Sequence, residues 1–169
     1  MARRLRVEAD GGSRGNPGVA GYGALVRDVD SGALLVELAE PLGKASNNVA
    51  EYRGMIAGLG AARDIAADAE IEVAMDSKLV VEQMSGRWKI KHADMRALAL
   101  ETRDIVSEIT DAGGSVRFIW IPRAENGDAD ALSNRGMDGD TVAEWHDEPG
   151  SDPDRSVSGT EPDAGVGLS

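Results

Sequence analysis

The first forty residues alternate apolar and polar positions in the way that β-strands do. Residues 5–9 alternate and then enter the turn-rich segment DGGSRGNPG, which predicts a strand that ends at Asp10. Residues 19–28 and 33–40 are two further strand-like stretches, and residues 30–32 between them are typical of a hairpin turn. The N-terminal part of the chain is therefore predicted to form three consecutive strands.

From Ser46 onward the hydrophobic period changes to that of helices. Apolar residues recur at helical spacing from Tyr52 to Ala66, with Asn47 or Asn48 available to cap the start. The pattern then predicts a strand over 70–75, a short helix over 78–84, a helix over 95–109, a strand over 115–121 and a final short helix over 125–134. The order βββαβααβα predicts an α/β domain with a five-stranded mixed sheet and helices on both faces.

Charge and composition divide the chain near residue 140. Residues 140–169 carry a net charge of −7 out of the total of −12, are rich in Gly, Ser and Pro, and have few large apolar residues after Trp145. A segment of this composition buries too little apolar surface to offset the entropy cost of ordering. We therefore expect a folded domain over residues 1–139 and an acidic disordered tail or linker over residues 140–169.

The rare residue types exclude several classes of function. The chain has no cysteine, which excludes disulfides, thiolate metal sites and a cysteine nucleophile. Its two histidines, His92 and His146, are too few for a multi-histidine zinc site. No apolar run approaches the roughly 18 residues of a membrane span, and the N terminus lacks the hydrophobic core of a signal peptide. We expect a monomeric cytoplasmic protein that has no membrane partner.

Four carboxylates lie where the predicted elements begin or end. Asp10 ends the first strand and Asp76 ends the fourth, Glu51 lies in the first turns of the first helix, and Asp130 lies in the last helix. Taken singly, each is most simply a helix cap or a solvated surface acid. However, ligands in α/β sheets bind beyond strand ends, where loops and helix starts meet. The four acids are therefore candidates for one shared site.

A cluster of carboxylates without histidine or cysteine suits hard divalent cations, above all Mg²⁺ or Mn²⁺. Two such ions about 4 Å apart can activate a water and stabilise the leaving oxygen during phosphodiester cleavage. Without a cation, burying so much like charge is costly. The chemistry of the four acids thus points to a metal-dependent phosphodiesterase.

Four sequence segments resemble type 1 ribonuclease H. They are Asp10-Gly11-Gly12-Ser13 with Gly15-Asn16-Pro17-Gly18, Ser46-Asn47-Asn48-Val49-Ala50-Glu51, Asp76-Ser77, and Asn126-Gly127-Asp128-Ala129-Asp130-Ala131-Leu132. They follow the family's order and together span residues 5–136 of the predicted elements. The resemblance implies the ribonuclease H fold and endonucleolytic hydrolysis of the RNA strand in RNA/DNA hybrids. It also implies two Mg²⁺ ions, with Mn²⁺ as a substitute, held by the catalytic carboxylates Asp10, Glu51, Asp76 and Asp130.

Within this family, the chain looks most like the actinobacterial form that is joined to a C-terminal histidine-phosphatase domain. Nothing in the 169 residues resembles that second domain. We therefore expect such a phosphatase domain in a longer native chain, with residues 140–169 as the start of the linker.

The resemblance also assigns residues that contact the substrate. Asn16, Asn47 and Asn48 match the family's contacts to the hybrid backbone and bases, and an amide can engage the 2′-hydroxyl that distinguishes RNA from DNA. The same three residues are equally suited to turns and helix caps. Ser46 matches the small hydroxyl residue that contacts a phosphate of the DNA strand.

The loop before Asp130 departs from the family pattern. Many relatives have a histidine shortly before the last aspartate, whereas residues 120–125 here contain none. We expect Arg123 to replace it in part by holding a phosphate, although a guanidinium cannot shuttle a proton near neutral pH. Asp128 is an alternative in the same loop, but a second acid beside Asp130 is more simply a surface residue.

The segment between the second and third helices also departs from the pattern. Some relatives have a long basic handle here, but this chain has only residues 87–92. We expect Trp88 and Lys89 to contact the nucleic-acid backbone by stacking and phosphate pairing. The alternative is that Trp88 packs on the edge of the core while the cations remain solvated. His92 is more simply a capping or surface residue.

Two other functions remain open from the sequence. A nuclease with the same fold that acts on DNA would share the carboxylates, although the segment Asn47-Asn48-x-x-Glu51 favours the ribonuclease H branch. A non-catalytic module that binds hybrids would be favoured if one of the four acids were missing, but all four are present. An aspartyl phosphatase fits poorly because Glu8 stands where that motif needs a second aspartate.

Overall fold

The computed structural model describes residues 2–147, which form one sheet of six strands with helices on both of its faces. In chain order the elements are β1 (Arg4–Arg14), β2 (Gly18–Asp28), β3 (Leu34–Ala45), α1 (Asn47–Ile65), β4 (Glu70–Met75), α2 (Lys78–Met84), α3 (Ala93–Asp111), β5 (Ser115–Trp120), a 3-10 turn (Arg123–Glu125), α4 (Gly127–Met137) and β6 (Val142–Trp145). None of the helices in this part of the chain is both long enough and apolar enough to cross a membrane.

The sheet is mixed, with strand order β5-β4-β1-β2-β3-β6. β1, β2, β3 and β6 pair antiparallel, whereas β4 pairs parallel to β1 and to β5. The predicted α/β class and the predicted order of strands and helices are confirmed up to α4. β1 is longer than predicted, because residues beyond Asp10 continue the ladder with β2 as far as the pair Arg14–Val19.

The sheet has one strand more than predicted, because residues 142–145 form β6 on the outer edge of β3. The expectation of disorder is therefore wrong for these residues. Val142 is only 6% exposed and packs with Leu25, Ala39 and Leu132. A four-residue strand with a single buried side chain leaves too little alternation to be recognised in an acidic segment. Residues 148–169 lie outside the described residues, so the division into a domain and a linker stays a prediction.

Two apolar cores cover the two faces of the sheet. The larger core packs α1 and α3 against β1 and β4, through buried residues that include Tyr52, Met55, Leu59, Leu98, Ile109, Val7 and Val73. The smaller core lies under α4 and holds the cluster that Val142 completes. These two layers fix α1 and α4 relative to the central strand β1.

Glycines allow α1 to approach β1 closely. A Cβ atom at Gly11 would lie 2.2 Å from the Ala50 carbonyl carbon, and one at Gly54 would lie 2.5 Å from the Asp10 carbonyl oxygen. Both distances are shorter than any ordinary contact, so a side chain at either position would push the helix away. This close approach places Glu51 on α1 beside Asp10 on β1.

Candidate active site

The four predicted carboxylates lie on four different elements that meet around the central strands. Asp10 lies within β1, and Asp76 follows the last residue of the neighbouring parallel strand β4. Glu8 pairs with Ala74, so two residues further along Asp10 and Asp76 reach the same level of the sheet. Glu51 comes from the first turns of α1 and Asp130 from the first turn of α4. All four side chains are half-buried.

Pairwise charge effects link the four carboxylates. Burial raises the pKa of Asp10 to about 8, and the charges of Asp76 and Asp130 add to the rise against the opposing Gly11 N–H. Burial also raises the pKa of Glu51 to about 7, and the charge of Asp76 adds to the rise. Because burial and neighbouring negative charge make Asp10 and Glu51 harder to ionise, this region favours a bound cation.

Asp76 and Glu51 are each held by a neutral side chain. Asn126 Nδ2 donates a hydrogen bond of 2.9 Å to Asp76 Oδ1. Ser77 Oγ donates one of 3.0 Å to Glu51 Oε1, which lowers the pKa of Glu51 against the effect of burial. Sequence analysis placed both residues in the motif segments but did not assign them a role. The sequence signals for these roles are weak: Ser77 is adjacent to Asp76, and Asn126 directly precedes α4.

Arg123 lies beside Asp130. It begins the 3-10 turn before α4, and its Nη2 lies 3.5 Å from Asp130 Oδ1. Its side chain is 81% exposed, so the guanidinium remains accessible to a ligand. Asp128 instead is exposed and pairs with Arg27, away from the other carboxylates, which fits the expected surface acid.

Two of the residues predicted to contact the hybrid, Asn16 and Asn47, are hydrogen-bonded to each other where the β1–β2 turn meets α1. Asn47 Oδ1 accepts from the Ser13 N–H at 2.7 Å, and Asn16 Oδ1 accepts from the Asn47 N–H at 3.0 Å. Ser46 Oγ accepts from the Val49 N–H at 3.2 Å and so caps α1. The cap is therefore Ser46, and the prediction of Asn47 or Asn48 is wrong because the chain becomes helical one residue earlier.

The segment between α2 and α3 forms a basic rim beside this group. Trp88 is 45% exposed, and a groove that also includes Asn48 and Lys89 lies next to it. A second groove on the other side of Trp88 is bordered by Arg87, Lys89, Arg96 and Arg103. His92 stands at the N-cap position of α3 but makes no capping hydrogen bond through its side chain. Trp88 is thus partly exposed between groove-lining cations, and its predicted contact with nucleic acid stays a prediction.

Another possible set of metal ligands, away from the four carboxylates, lies at the sheet edge. Glu37, Glu144 and His146 bring three ligand atoms within 4.8 Å of one another. His146 Nε2 and Glu37 Oε1 are already hydrogen-bonded at 3.0 Å, and Glu144 and His146 are exposed. This group is a hydrogen-bonded pair at the surface with a second acid beside it.

Comparison with known proteins identifies the family. A family model described as reverse transcriptase-like matches residues 8–136. The bifunctional protein Rv2228c of Mycobacterium tuberculosis is 51% identical over 135 residues, which cover 80% of this chain and 36% of that protein. The solved structure of its N-terminal RNase H domain, fused to maltose binding protein, is 50% identical with a TM-score of 0.75 and covers 81% of this chain and 95% of that one. LC11-RNase H1, solved in complex with an RNA/DNA hybrid, is 36% identical with a TM-score of 0.73 over 79% of this chain and 96% of that one.

The chain belongs to the type 1 ribonuclease H family. The resemblance carried by the four motif segments is thereby confirmed. The match to the reverse transcriptase-like family model ends at residue 136, close to the end of α4, and β6 lies beyond it. The chain spans about a third of the length of Rv2228c, at 36%.

Proposed function

We propose that this chain is a metal-dependent endoribonuclease that hydrolyses the RNA strand of RNA/DNA hybrids. The observation that carries the proposal is that the charges of Asp76 and Asp130 act on Asp10 and the charge of Asp76 acts on Glu51, which links the four carboxylates. The proposal is supported by membership of the ribonuclease H family and by the likeness to LC11-RNase H1, which was solved with a hybrid bound.

The donor set fits two divalent cations of the Mg²⁺ or Mn²⁺ class. All four proposed ligands are carboxylates, and burial together with the charge of neighbouring carboxylates raises the pKa of Asp10 and of Glu51, which a bound cation would offset. Asp10, Glu51, Asp76 and Asp130 would hold the ions. When bound, two such ions supply an activated water and stabilise the leaving oxygen.

The chain's own side chains then orient the reacting groups. Ser77 fixes one oxygen of Glu51, and Asn126 fixes one oxygen of Asp76. Arg123 would hold a non-bridging phosphate oxygen, since its charged guanidinium is exposed beside Asp130. A guanidinium stays protonated, so Arg123 contributes charge and position but moves no proton.

The substrate would be recognised first by residues at the start of α1 and in the neighbouring β1–β2 turn. Asn16, Asn47 and Asn48 present amides that can donate to and accept from a 2′-hydroxyl. The Ser46 hydroxyl accepts one bond from the helix and still has its own hydrogen to donate to a phosphate. The groove past Asn48 leads to Trp88 and Lys89, where stacking and phosphate pairing would hold the backbone.

Cleavage of end-labelled substrates tests the proposal. The wild type is incubated with Mg²⁺ or Mn²⁺ and with a hybrid, duplex DNA, duplex RNA and each single strand, alongside Asp76→Asn and Asp128→Asn. We expect hybrid-only cutting of the RNA strand, lost in Asp76→Asn and kept in Asp128→Asn, since Asp128 faces Arg27 instead of the cluster. Cutting of duplex DNA would favour a DNA nuclease, and binding without cutting in either metal would favour a hybrid-binding module.

A further inference from the structure

Asn126 connects three of the four carboxylate-bearing elements. It is fully buried, and its Nδ2 donates both to Asp76 Oδ1 at 2.9 Å and to the Ala9 carbonyl oxygen at 3.0 Å. Ala9 directly precedes Asp10 on β1. The Asn126 carbonyl oxygen in turn accepts from the Asp130 N–H at 3.0 Å. One residue thus ties the end of β4, the centre of β1 and the first turn of α4 together.

The same side chain also contains an atom that lowers the free energy of unfolding. Its Oδ1 is buried and has no hydrogen-bond partner among the described residues. Leaving a buried carbonyl unpaired costs about 1 to 3 kcal/mol. The amide cannot turn over to relieve this, because Oδ1 would then face two acceptors, the Asp76 carboxylate and the Ala9 carbonyl. A buried polar group kept in this state indicates a role beyond stability.

The chemistry of an amide suits a position beside metal ligands. A neutral N–H donor orients a carboxylate without adding positive charge, whereas Lys or Arg at the same place would compete with a cation for Asp76. The two donated bonds use both hydrogens of Nδ2, so the spacing between Asp76 and the Ala9–Asp10 backbone is set by one rigid group.

We infer that Asn126 is a positioning residue that holds Asp76 and the Asp10 backbone at the separation needed to bind divalent cations. The inference rests on the proposed function, because it assigns the four carboxylates to metal binding. Because Asn126 is buried, it is not accessible to nucleic acid and acts through Asp76 and Asp10. Its loss changes metal affinity and turnover while the affinity for hybrid stays the same.

Titration of metal-free protein with Mn²⁺ alone, followed by calorimetry, tests the inference. Asn126→Leu removes both donors while keeping the branching and the number of heavy atoms of the side chain. Gln83→Met is the matched control, because Gln83 is also a buried amide, 3% exposed, but bonds to Tyr52 and to the Lys89 backbone instead of the carboxylates. We expect Mn²⁺ affinity to fall at least tenfold in Asn126→Leu and to stay at the wild-type value in Gln83→Met. Urea midpoints show that each variant is folded.

A second variant and a second measurement keep the result decisive. Asn126→Ser is small, retains one donor and is expected to fold and to bind Mn²⁺ more weakly than the wild type, should Asn126→Leu not fold. On hybrid, the folded variant is expected to lose kcat at least tenfold with little change in KM. Wild-type Mn²⁺ affinity in a folded Asn126 variant overturns the inference.

The two proposals fail in different ways. A wild type that binds Mn²⁺ but does not cut hybrids contradicts the proposed function alone, and the Asn126 comparison is still decided by Mn²⁺ binding. A wild type that binds no Mn²⁺ overturns both.

Discussion

The Ser77 hydroxyl links Glu51 to the first turn of α2. Its Oγ donates to Glu51 Oε1 at 3.0 Å and accepts from the Val80 N–H at 3.3 Å. One hydroxyl therefore caps a helix and orients a carboxylate of the cluster. Of the effects on the pKa of Glu51, this bond is the one that lowers it, against burial and the charge of Asp76.

Replacing Ser77 by alanine is expected to shift the pH dependence of cleavage. Without the hydroxyl, the pKa of Glu51 rises above about 7, so the acidic limb of kcat/KM moves to higher pH. Loss of the cap lowers the free energy of unfolding by about 1 kcal/mol. Ser77→Thr keeps the hydroxyl and is expected to restore the wild-type profile. An unchanged acidic limb in Ser77→Ala would contradict the assigned role.

Asp10→Asn is expected to stabilise the metal-free fold while abolishing cleavage. The pKa of Asp10 is about 8 in the folded state and about 4 in an unfolded chain, so the folded state binds its proton more tightly. Stability of the metal-free protein is therefore greatest at low pH and falls as the pH rises from about 4 to about 8. The variant lacks this ionisation and is expected to gain about 2 kcal/mol at pH 8.

Urea unfolding with a chelator at pH 5 and pH 8 measures the effect of Asp10→Asn. Part of the slope with pH remains in the variant, because the pKa of Glu51 is raised as well. Asp128→Asn is the control, since Asp128 is exposed and paired with Arg27. If the free energy of unfolding changes by the same amount between pH 5 and pH 8 in the wild type and in Asp10→Asn, Asp10 does not contribute to the pH dependence of stability.

Arg123→Ala is expected to lower kcat/KM on hybrids about tenfold, which corresponds to about 1.4 kcal/mol of lost interaction with a phosphate. The side chain is 81% exposed, so the free energy of unfolding is expected to change by less than about 0.5 kcal/mol. Arg135→Ala is the matched control, because Arg135 is an exposed arginine of α4 that pairs with Asp140. Unchanged turnover and hybrid affinity in Arg123→Ala would refute the expectation that Arg123 partly replaces the loop histidine of many relatives.

Trp88 and Lys89 are expected to contribute differently to hybrid binding. Lys89→Ala removes one phosphate contact, so affinity falls and the slope of log Kd against log salt decreases by about 1. Trp88→Ala removes stacking, so affinity falls at every salt concentration with the slope unchanged. Arg63→Ala is the control, since Arg63 lies at the far end of α1 and pairs with Glu108. Wild-type salt dependence and affinity in both variants would place the hybrid elsewhere.

The sequence predicted those parts of the site that depend on residue type and chain order. Asp10 and Asp76 were identifiable because each follows or lies in an apolar strand, and strand pairing then brings them level. The roles of Ser77 and Asn126 were not identifiable, because a hydrogen bond between distant residues depends on the packed positions of four elements. The helix cap was misplaced at Asn47 because several adjacent residues can serve as caps, and contact with Ser13 engages this side chain.

β6 was likewise not identifiable from the sequence, because its contribution depends on pairing with a distant strand. Its backbone pairs with β3 from Val36–Trp145 to Ala39–Val142, and Val142 closes the smaller core.

A chain ending at residue 139 exposes that core and the edge of β3, whereas a chain ending at residue 147 keeps both covered. Burial of a valine side chain stabilises a fold by about 1.5 to 3 kcal/mol. We therefore expect the free energy of unfolding of the shorter chain to be about 2 kcal/mol lower. Urea unfolding of the two chains measures this difference, and equal midpoints would restore the interpretation of residues 140–147 as a tail. Cleavage per folded molecule is expected to be equal in both chains, because β6 lies on the far side of β3 and β2 from the carboxylates of β1 and β4.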